Sequence, residues 1–181
     1  KGLRVTGKDT IEVVEQVLIE FNQEIVEALK KQSCKSESIN SKNNNIISVI
    51  KENDKLGFVG TPTDIDKNII DQIVNNKKVP VIAPLGLDEN SQTYNINADT
   101  AAGSIAKKIE ARRLIIMSDV EGVLDNNQKL IPEINSNSIK ELIENETITG
   151  GMIPKINNCL DVASNGVKGV VIIDGRKNHS I

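Results

Sequence analysis

The sequence predicts an α/β fold, a three-layer αβα sandwich with an open, mainly parallel sheet between helices. Three observations carry this. Val79–Pro84 (VPVIAP), Leu114–Met117 and Gly169–Ile173 are continuous apolar runs, as expected of strands covered on both faces. The stretches between them keep helical apolar spacing, and strands alternating with helices pair in parallel. Aromatic residues are only 2% of the chain, so Ile, Val, Leu and Ala must fill the core.

Taken in order, the chain opens with a short apolar segment at Leu3–Val5, interrupted by Arg4. Asp9 and Glu12 form a capping-box pattern with Asp as the cap. Ile11, Val14, Leu18, Ile25 and Leu29 then keep helical spacing to about Lys31, with a bend expected near Phe21–Gln23. A weak strand is expected at Lys35–Ile39, a solvated turn over Asn40–Asn45 and a strand at Ile46–Ile50. Gly57–Thr61 reads as a further short strand. Asp64 and Asp66 start a helix to about Asn76, burying Ile69, Ile70, Ile73 and Val74. After VPVIAP, Leu85–Thr93 is a loop or hairpin, and a helix spans Asn97–Glu110. Asn126 and Asn127 form a hairpin tip after the Leu114–Met117 strand. Ser136 or Ser138 opens a helix to about Asn145. The last helix, Gly150–Ser164, stops at Asn165-Gly166.

Composition narrows the function. The 181 residues are 38% hydrophobic and 26% charged, with a net charge of −3, ordinary for a soluble chain large enough for one domain or two small lobes. Long basic runs and stacking aromatics are missing, which argues against nucleic acid as a partner. No apolar run approaches membrane-spanning length. Cys34 and Cys159 form no CxxC pair and the single histidine is His179, so neither a metal site nor a disulfide framework is expected. Reduced thiols in the cytoplasm are the simplest reading. Residue 1 is Lys, and the chain stops just past an apolar run; both ends read as cut from a longer chain.

Chemistry concentrates at two helix starts. In Tyr94–Ile109, Asn95 and Asn97 are two apart and share one side of an extended approach, ending at Asp99 where the helix begins. One such residue would suffice as an ordinary N-cap. In Gly150–Lys155 (GGMIPK), two glycines permit close backbone approach and Pro154 fits a first helical turn. Lys155 then sits at the positive end of a helix dipole, a conflict that a bound anion such as phosphate resolves; a solvated lysine beside a glycine turn is the plainer alternative. Ser118–Leu124 (SDVEGVL) follows a strand end, where ligands of open α/β sheets bind, although Asp119 is also an ordinary turn residue. Arg4 can grip a carboxylate bidentately or be a surface charge.

GLRVT (2–6), EVVEQVL in the first helix, GFVG (57–60), VPVIAP (79–84), NINADTAAG (95–103), SDVEGVL (118–124), GGMIPK (150–155) and IIDGR (172–176) occur here in that order. Together they resemble the amino acid kinase family, in its branch acting on N-acetyl-L-glutamate, over nearly the whole chain. The resemblance implies an amino-acid-substrate lobe over 1–111 and a nucleotide-binding lobe over 112–181. It implies transfer of the ATP γ-phosphoryl, with Mg²⁺, to the side-chain carboxylate of N-acetyl-L-glutamate in arginine biosynthesis, by a cytoplasmic homodimer. Arg4 and Asn95, with Asn97 beside them, would hold the acid. Asp99 would orient the catalytic lysines, and Lys155 would neutralise the transferring phosphoryl. Ser118, Asp119, Val120, Gly122, Val123 and Leu124 would border the nucleotide, as would Thr147, Ile148, Thr149, Gly150, Gly151 and Met152. A carboxylate nucleophile is already ionised at neutral pH and needs no general base. The family's earlier Lys-Gly-Gly strand and glycine pair precede GLRVT and are not in these residues. Ser41 and Asn43 replace its usual glycine and aspartate around Lys42. The 181 residues alone would therefore lack one catalytic lysine and be inactive. A kinase for another acid, such as an aminoadipate derivative, or a non-catalytic amino-acid-binding remnant are the alternatives.

Overall fold

The computed structural model describes residues 5–125 and 127–180. It divides into two compact units, Leu3–Lys108 and Ile109–Ile181. The architecture is mixed α/β, with parallel strand pairs and packed helices.

In the first unit, α1 (Lys8–Lys31) is unbroken through Phe21–Gln23, so the expected bend is not there. Its polar interruption has another cause. Asn22 is buried; its amide donates to the Val81 carbonyl at 2.9 Å and its oxygen accepts from the Ser38 hydroxyl. The expected Asp9 cap is also replaced. Gly7, in extended backbone, holds the cap position, and Asp9 lies in the first turn. A residue with helical dihedrals cannot reach back as a cap; Asp9 contributes only its charge at the helix start.

β1 (Ser36–Ile39) pairs in parallel with β4 (Val79–Ile82), and α1 packs on both. The Asn40–Asn45 patch forms a turn, but not a fully solvated one: Asn40 and Ser41 are buried. Asn40 Oδ1 accepts from the backbone N–H groups of Lys42 (2.9 Å) and Asn43 (3.0 Å). A second sheet has the order β3-β2-β5-β6. It is built from β2 (Ile47–Lys51), β3 (Gly60–Ile65), β5 (Leu85–Leu87) and β6 (Thr93–Asn95). β5 and β6 form the anticipated hairpin.

β3 starts later than expected because the chain turns at Gly57. Its φ is +70°, and a Cβ there would lie 2.3 Å from the Thr6 carbonyl oxygen, so only glycine fits. Asp64 consequently belongs to β3, where it pairs with Lys108 at 2.7 Å. Asp66 alone caps α2 (Lys67–Asn75), accepting from the Asn68 N–H at 3.0 Å. Ile70 and Ile73 are buried, but Val74 is 52% exposed. Adjacent helical positions lie 100° apart, so the face that buries Ile73 turns Val74 away.

α3 (Ala98–Lys108) closes this unit and packs on β3. Two of the chain's few aromatic rings, Phe58 and Tyr94, meet at 5.8 Å between centroids.

In the second unit, β7 (Leu114–Ser118) and β8 (Val170–Asp174) pair in parallel. Asn135 caps α4 (Ser136–Glu144), accepting from the Asn137 and Ser138 N–H groups. α5 (Met152–Ser164) packs on β8. Val123, Ile139, Ile148 and Ile156 form the buried core. A hairpin bridge joins Leu124 and Leu130; of the expected tip, Asn127 is a turn residue and Asn126 lies outside the described residues.

The apolar strand runs are not covered on both faces among the described residues. Val79 is 45% exposed. Ile115, Met117 and Val171 are 46%, 56% and 42% exposed, whereas Ile116 is 4%. β7 and β8 thus bury one face and present the other, following the two-residue period of a strand.

At Gly86 the close approach of β2 demands the absence of a side chain: a Cβ would lie 2.4 Å from Val49 Cγ1 and 2.9 Å from the Ile47 carbonyl oxygen. Gly86→Ala should cost about 1–3 kcal/mol through overpacking. Urea unfolding would show this as a lower midpoint at unchanged slope.

Candidate active site

Asn95 closes β6, half-buried. Its backbone N–H donates to the Phe58 carbonyl at 2.9 Å, and that of Ile96 to the Pro84 carbonyl at 3.0 Å. Two neighbouring segments therefore set where Asn95 stands. Asn97, exposed, caps α3: its Oδ1 accepts from the Thr100 N–H at 3.1 Å. Asp99 lies half-buried in the first turn, where a negative charge is favoured. These three side chains belong to the first unit. Arg4 lies outside the described residues.

One carboxylate ties this region together, and sequence reasoning passed over it. Glu15 of α1 accepts from the hydroxyls of Ser41 and Thr93 at 2.6 Å each, both on Oε1. Its Oε2 faces Lys42 Nζ at 3.1 Å. Burial pushes the Glu15 carboxyl up, but the hydrogen bonds from Ser41, Thr93 and Lys42 outweigh it and hold the group below its ordinary value. The available signal was position: Glu15 and Asn22 fall on the line of Ile11 and Val26, the buried side of α1, where an unpaired polar group would be costly.

The second unit carries the glycine-rich candidates. Gly150 has φ +54°, which favours glycine. Gly151 precedes α5 and no side chain caps the helix start. A Cβ at either glycine would meet no atom within 4 Å, so packing does not exclude a side chain there. An uncapped helix start with open space at its glycines suits an oxyanion approaching the backbone N–H groups. Pro154 and Lys155 lie near the start of α5, Lys155 half-buried. Val123 and Ile148 are 5% and 1% exposed core residues; only their backbone could border a ligand. Thr149 is exposed, and its carbonyl accepts from the Met152 N–H at 3.1 Å; Thr147 and Met152 are half-buried.

Ser118 and Asp174 face each other at the carboxyl ends of β7 and β8, the end at which ligands bind in open α/β sheets. Asp174 is buried and accepts from Arg176 Nε at 3.0 Å and Nη2 at 2.9 Å, and from the Arg176 backbone N–H at 3.0 Å. The same guanidinium donates to the Asp119 carbonyl. The Gly175 N–H donates to the Ser118 carbonyl at 3.0 Å. Lys177 pairs with Glu121. This latch pins the start of the SDVEGVL segment, with Val120 and Leu124 half-buried and Gly122 buried along it. It escaped the sequence reading because nothing local aligns residues 118 and 174.

A model of the amino acid kinase family matches residues 1–174. The chain belongs to that family. Among curated relatives it is 69% identical to an acetylglutamate kinase of Pelagibacter ubique (strain HTCC1062), covering 99% of this chain and 62% of the relative. To that of Campylobacter fetus subsp. fetus (strain 82-40) it is 46% identical, covering 99% and 65%. The chain thus spans less than two-thirds of these relatives' length. The solved structure of smu.665 from Streptococcus mutans UA159 superposes with TM-score 0.87 at 34% identity, covering 96% of this chain and 71% of that one. N-acetylglutamate synthase from Neisseria gonorrhoeae, complexed with coenzyme A and N-acetyl-glutamate, shares the fold with TM-score 0.85 at 19% identity, covering 99% and 42%. The family's mixed α/β fold is the one expected from the sequence.

The Arg176 guanidinium and backbone N–H hold the Asp174 carboxyl down at about 2, against an ordinary 3.8. A depressed folded value means the stabilisation is full above about pH 4 and is lost as the pH falls from there towards 2. Asp174→Asn should therefore lower stability at pH 7 and flatten the acid loss of stability between pH 4 and 2. Denaturant titrations of both proteins across that range would measure it; parallel profiles would contradict the latch.

Proposed function

We propose that the protein phosphorylates the side-chain carboxylate of N-acetyl-L-glutamate with ATP, forming an acyl phosphate for arginine biosynthesis. The observation that carries this reading is 69% identity, over 99% of the chain, to an acetylglutamate kinase. The substrate lobe would be residues 1–111 and the nucleotide lobe 112–181. Arg4, Asn95 and Asn97 would hold the acid. The acceptor carboxylate is ionised at neutral pH, so the protein's task is positioning and charge neutralisation. The α5 start, with Gly150 and Gly151, would accept phosphate oxygens on backbone N–H groups. Ser118–Leu124 and Thr147–Met152 would border the nucleotide. Lys155 would neutralise the transferring phosphoryl, and Asp99 would orient the catalytic lysines.

Among the described residues no cluster of three or more His, Cys, Asp or Glu side chains is placed to hold a metal. Mg²⁺ would arrive with ATP and retain several waters; it supplies charge neutralisation at the phosphates. No helix of the described residues is long and apolar enough to cross a membrane, and the proposed setting is the cytoplasm, where ATP is supplied.

The reading extends to a homodimer. Val13, Val17 and Phe21 are 61%, 54% and 56% exposed. They lie four residues apart along α1, an apolar ridge that a second copy can cover about a two-fold axis. Phe21→Glu should convert the dimer to monomer in sedimentation equilibrium of the complete gene product.

In steady-state assays of that product, Lys155→Ala should lower kcat by roughly a hundredfold or more, the scale of losing a transition-state charge contact. The KM for N-acetyl-L-glutamate should change little. Arg4→Ala should mainly raise that KM. A substrate panel including aminoadipate derivatives tests the acid; an unchanged kcat in Lys155→Ala removes its assigned role.

A further inference from the structure

The Glu15 carboxylate joins three segments remote in sequence: the middle of α1, the turn that follows β1, and the first residue of β6. Its side chain is 15% exposed, and Ser41 and Thr93 are 8% and 6% exposed. A link whose only task was cohesion would be served as well by apolar contact, because burying a charge costs solvation that pairing only partly returns. What a carboxylate adds is direction. Two hydroxyls 52 positions apart (41 and 93) point at one oxygen, each at 2.6 Å, and hydrogen bonds to an ionised acceptor are short and orienting.

One arm leads towards the acid side of the proposed site. β6 is three residues long, and Thr93 and Asn95 are its ends. Side chains two apart on a strand share a face, so Thr93 fixes the placement of Asn95 by one strand step. The other arm holds Ser41 and Lys42 at the carboxyl end of β1, within the turn that Asn40 organises.

We propose that Glu15 is a positioning residue for the acceptor acid: by drawing Thr93 and Ser41 to one carboxylate oxygen it sets the place from which Asn95 engages the substrate. This rests on the reading that Asn95 holds N-acetyl-L-glutamate. Glu15 would act through Thr93 and Ser41, without itself contacting substrate or phosphate.

The complete gene product would be assayed as wild type, Glu15→Ala and Thr93→Val. Both variants should raise the KM for N-acetyl-L-glutamate, Glu15→Ala by about tenfold, the scale of lost hydrogen bonds to a charged group. The KM for ATP should stay within about twofold, since the proposed nucleotide contacts do not involve the acid's side of the site. Amide hydrogen exchange without ligand should quicken in residues 93–96 more than in α5. An acid KM unchanged in both variants overturns the proposal, as does a loss of stability with kcat and both KM values altered together. Should Glu15→Ala fail to fold, Thr93→Val carries the comparison. A wild-type protein without N-acetyl-L-glutamate kinase activity sinks the functional reading itself. An active wild type with an unaltered acid KM in the variants sinks only the role of Glu15.

Discussion

The first unit depends on the polar line buried along α1. Glu15 and Asn22 stand where an amphipathic helix would ordinarily place aliphatic side chains, and each is satisfied from another element. Asn22 reaches the Val81 carbonyl of β4 and the Ser38 hydroxyl of β1, while Glu15 gathers Ser41, Lys42 and Thr93. The hydrophobic effect is non-directional, whereas hydrogen bonds require particular partners at particular distances. The polar line therefore sets the position of α1 on β1 and β4, and through Thr93 it extends to the hairpin that ends at Asn95.

The second unit uses the same logic at strand ends. Asp174 and Arg176 are two residues apart, so their ion pair needs little chain ordering to form, and the guanidinium retains a donor for the Asp119 carbonyl. The latch holds the backbone after β7 against the backbone after β8. A depressed Asp174 carboxyl is the electrostatic trace of that arrangement. Two helix starts contrast with it. α3 is capped by its own Asn97, whereas α5 begins at a glycine with no side-chain cap. Uncapped backbone N–H groups are free-energy liabilities unless water or an anion satisfies them; α1, with Gly7 at its cap position, likewise has no side-chain cap.

The order of helices and strands, the parallel pairs and the α3 and α5 starts were legible in the sequence because they follow from local periodicity and from turn and cap chemistry. Asp66 as the α2 cap and Asn165-Gly166 as the α5 stop are of this kind. Where the sequence misled, the residue type was compatible with two environments. Val79 and Met117 are as apolar as any core residue, yet both are exposed, because hydropathy reports affinity for burial and not which face finds a neighbour. Asn40 and Ser41 are polar, yet both are buried.

By itself, then, the sequence determined what each segment could become and, through the ordered motifs, the family to which the chain belongs. Tertiary structure alone decided which distant side chains meet: Glu15 with Ser41 and Thr93, Asn22 with Val81, Arg176 with Asp119. The physical reason is range. Dihedral preferences and periodicity act over a few neighbouring residues, whereas the hydrogen bonds and ion pairs that place the candidate site require groups remote in sequence to be brought within 3 Å or so by the packing of whole elements.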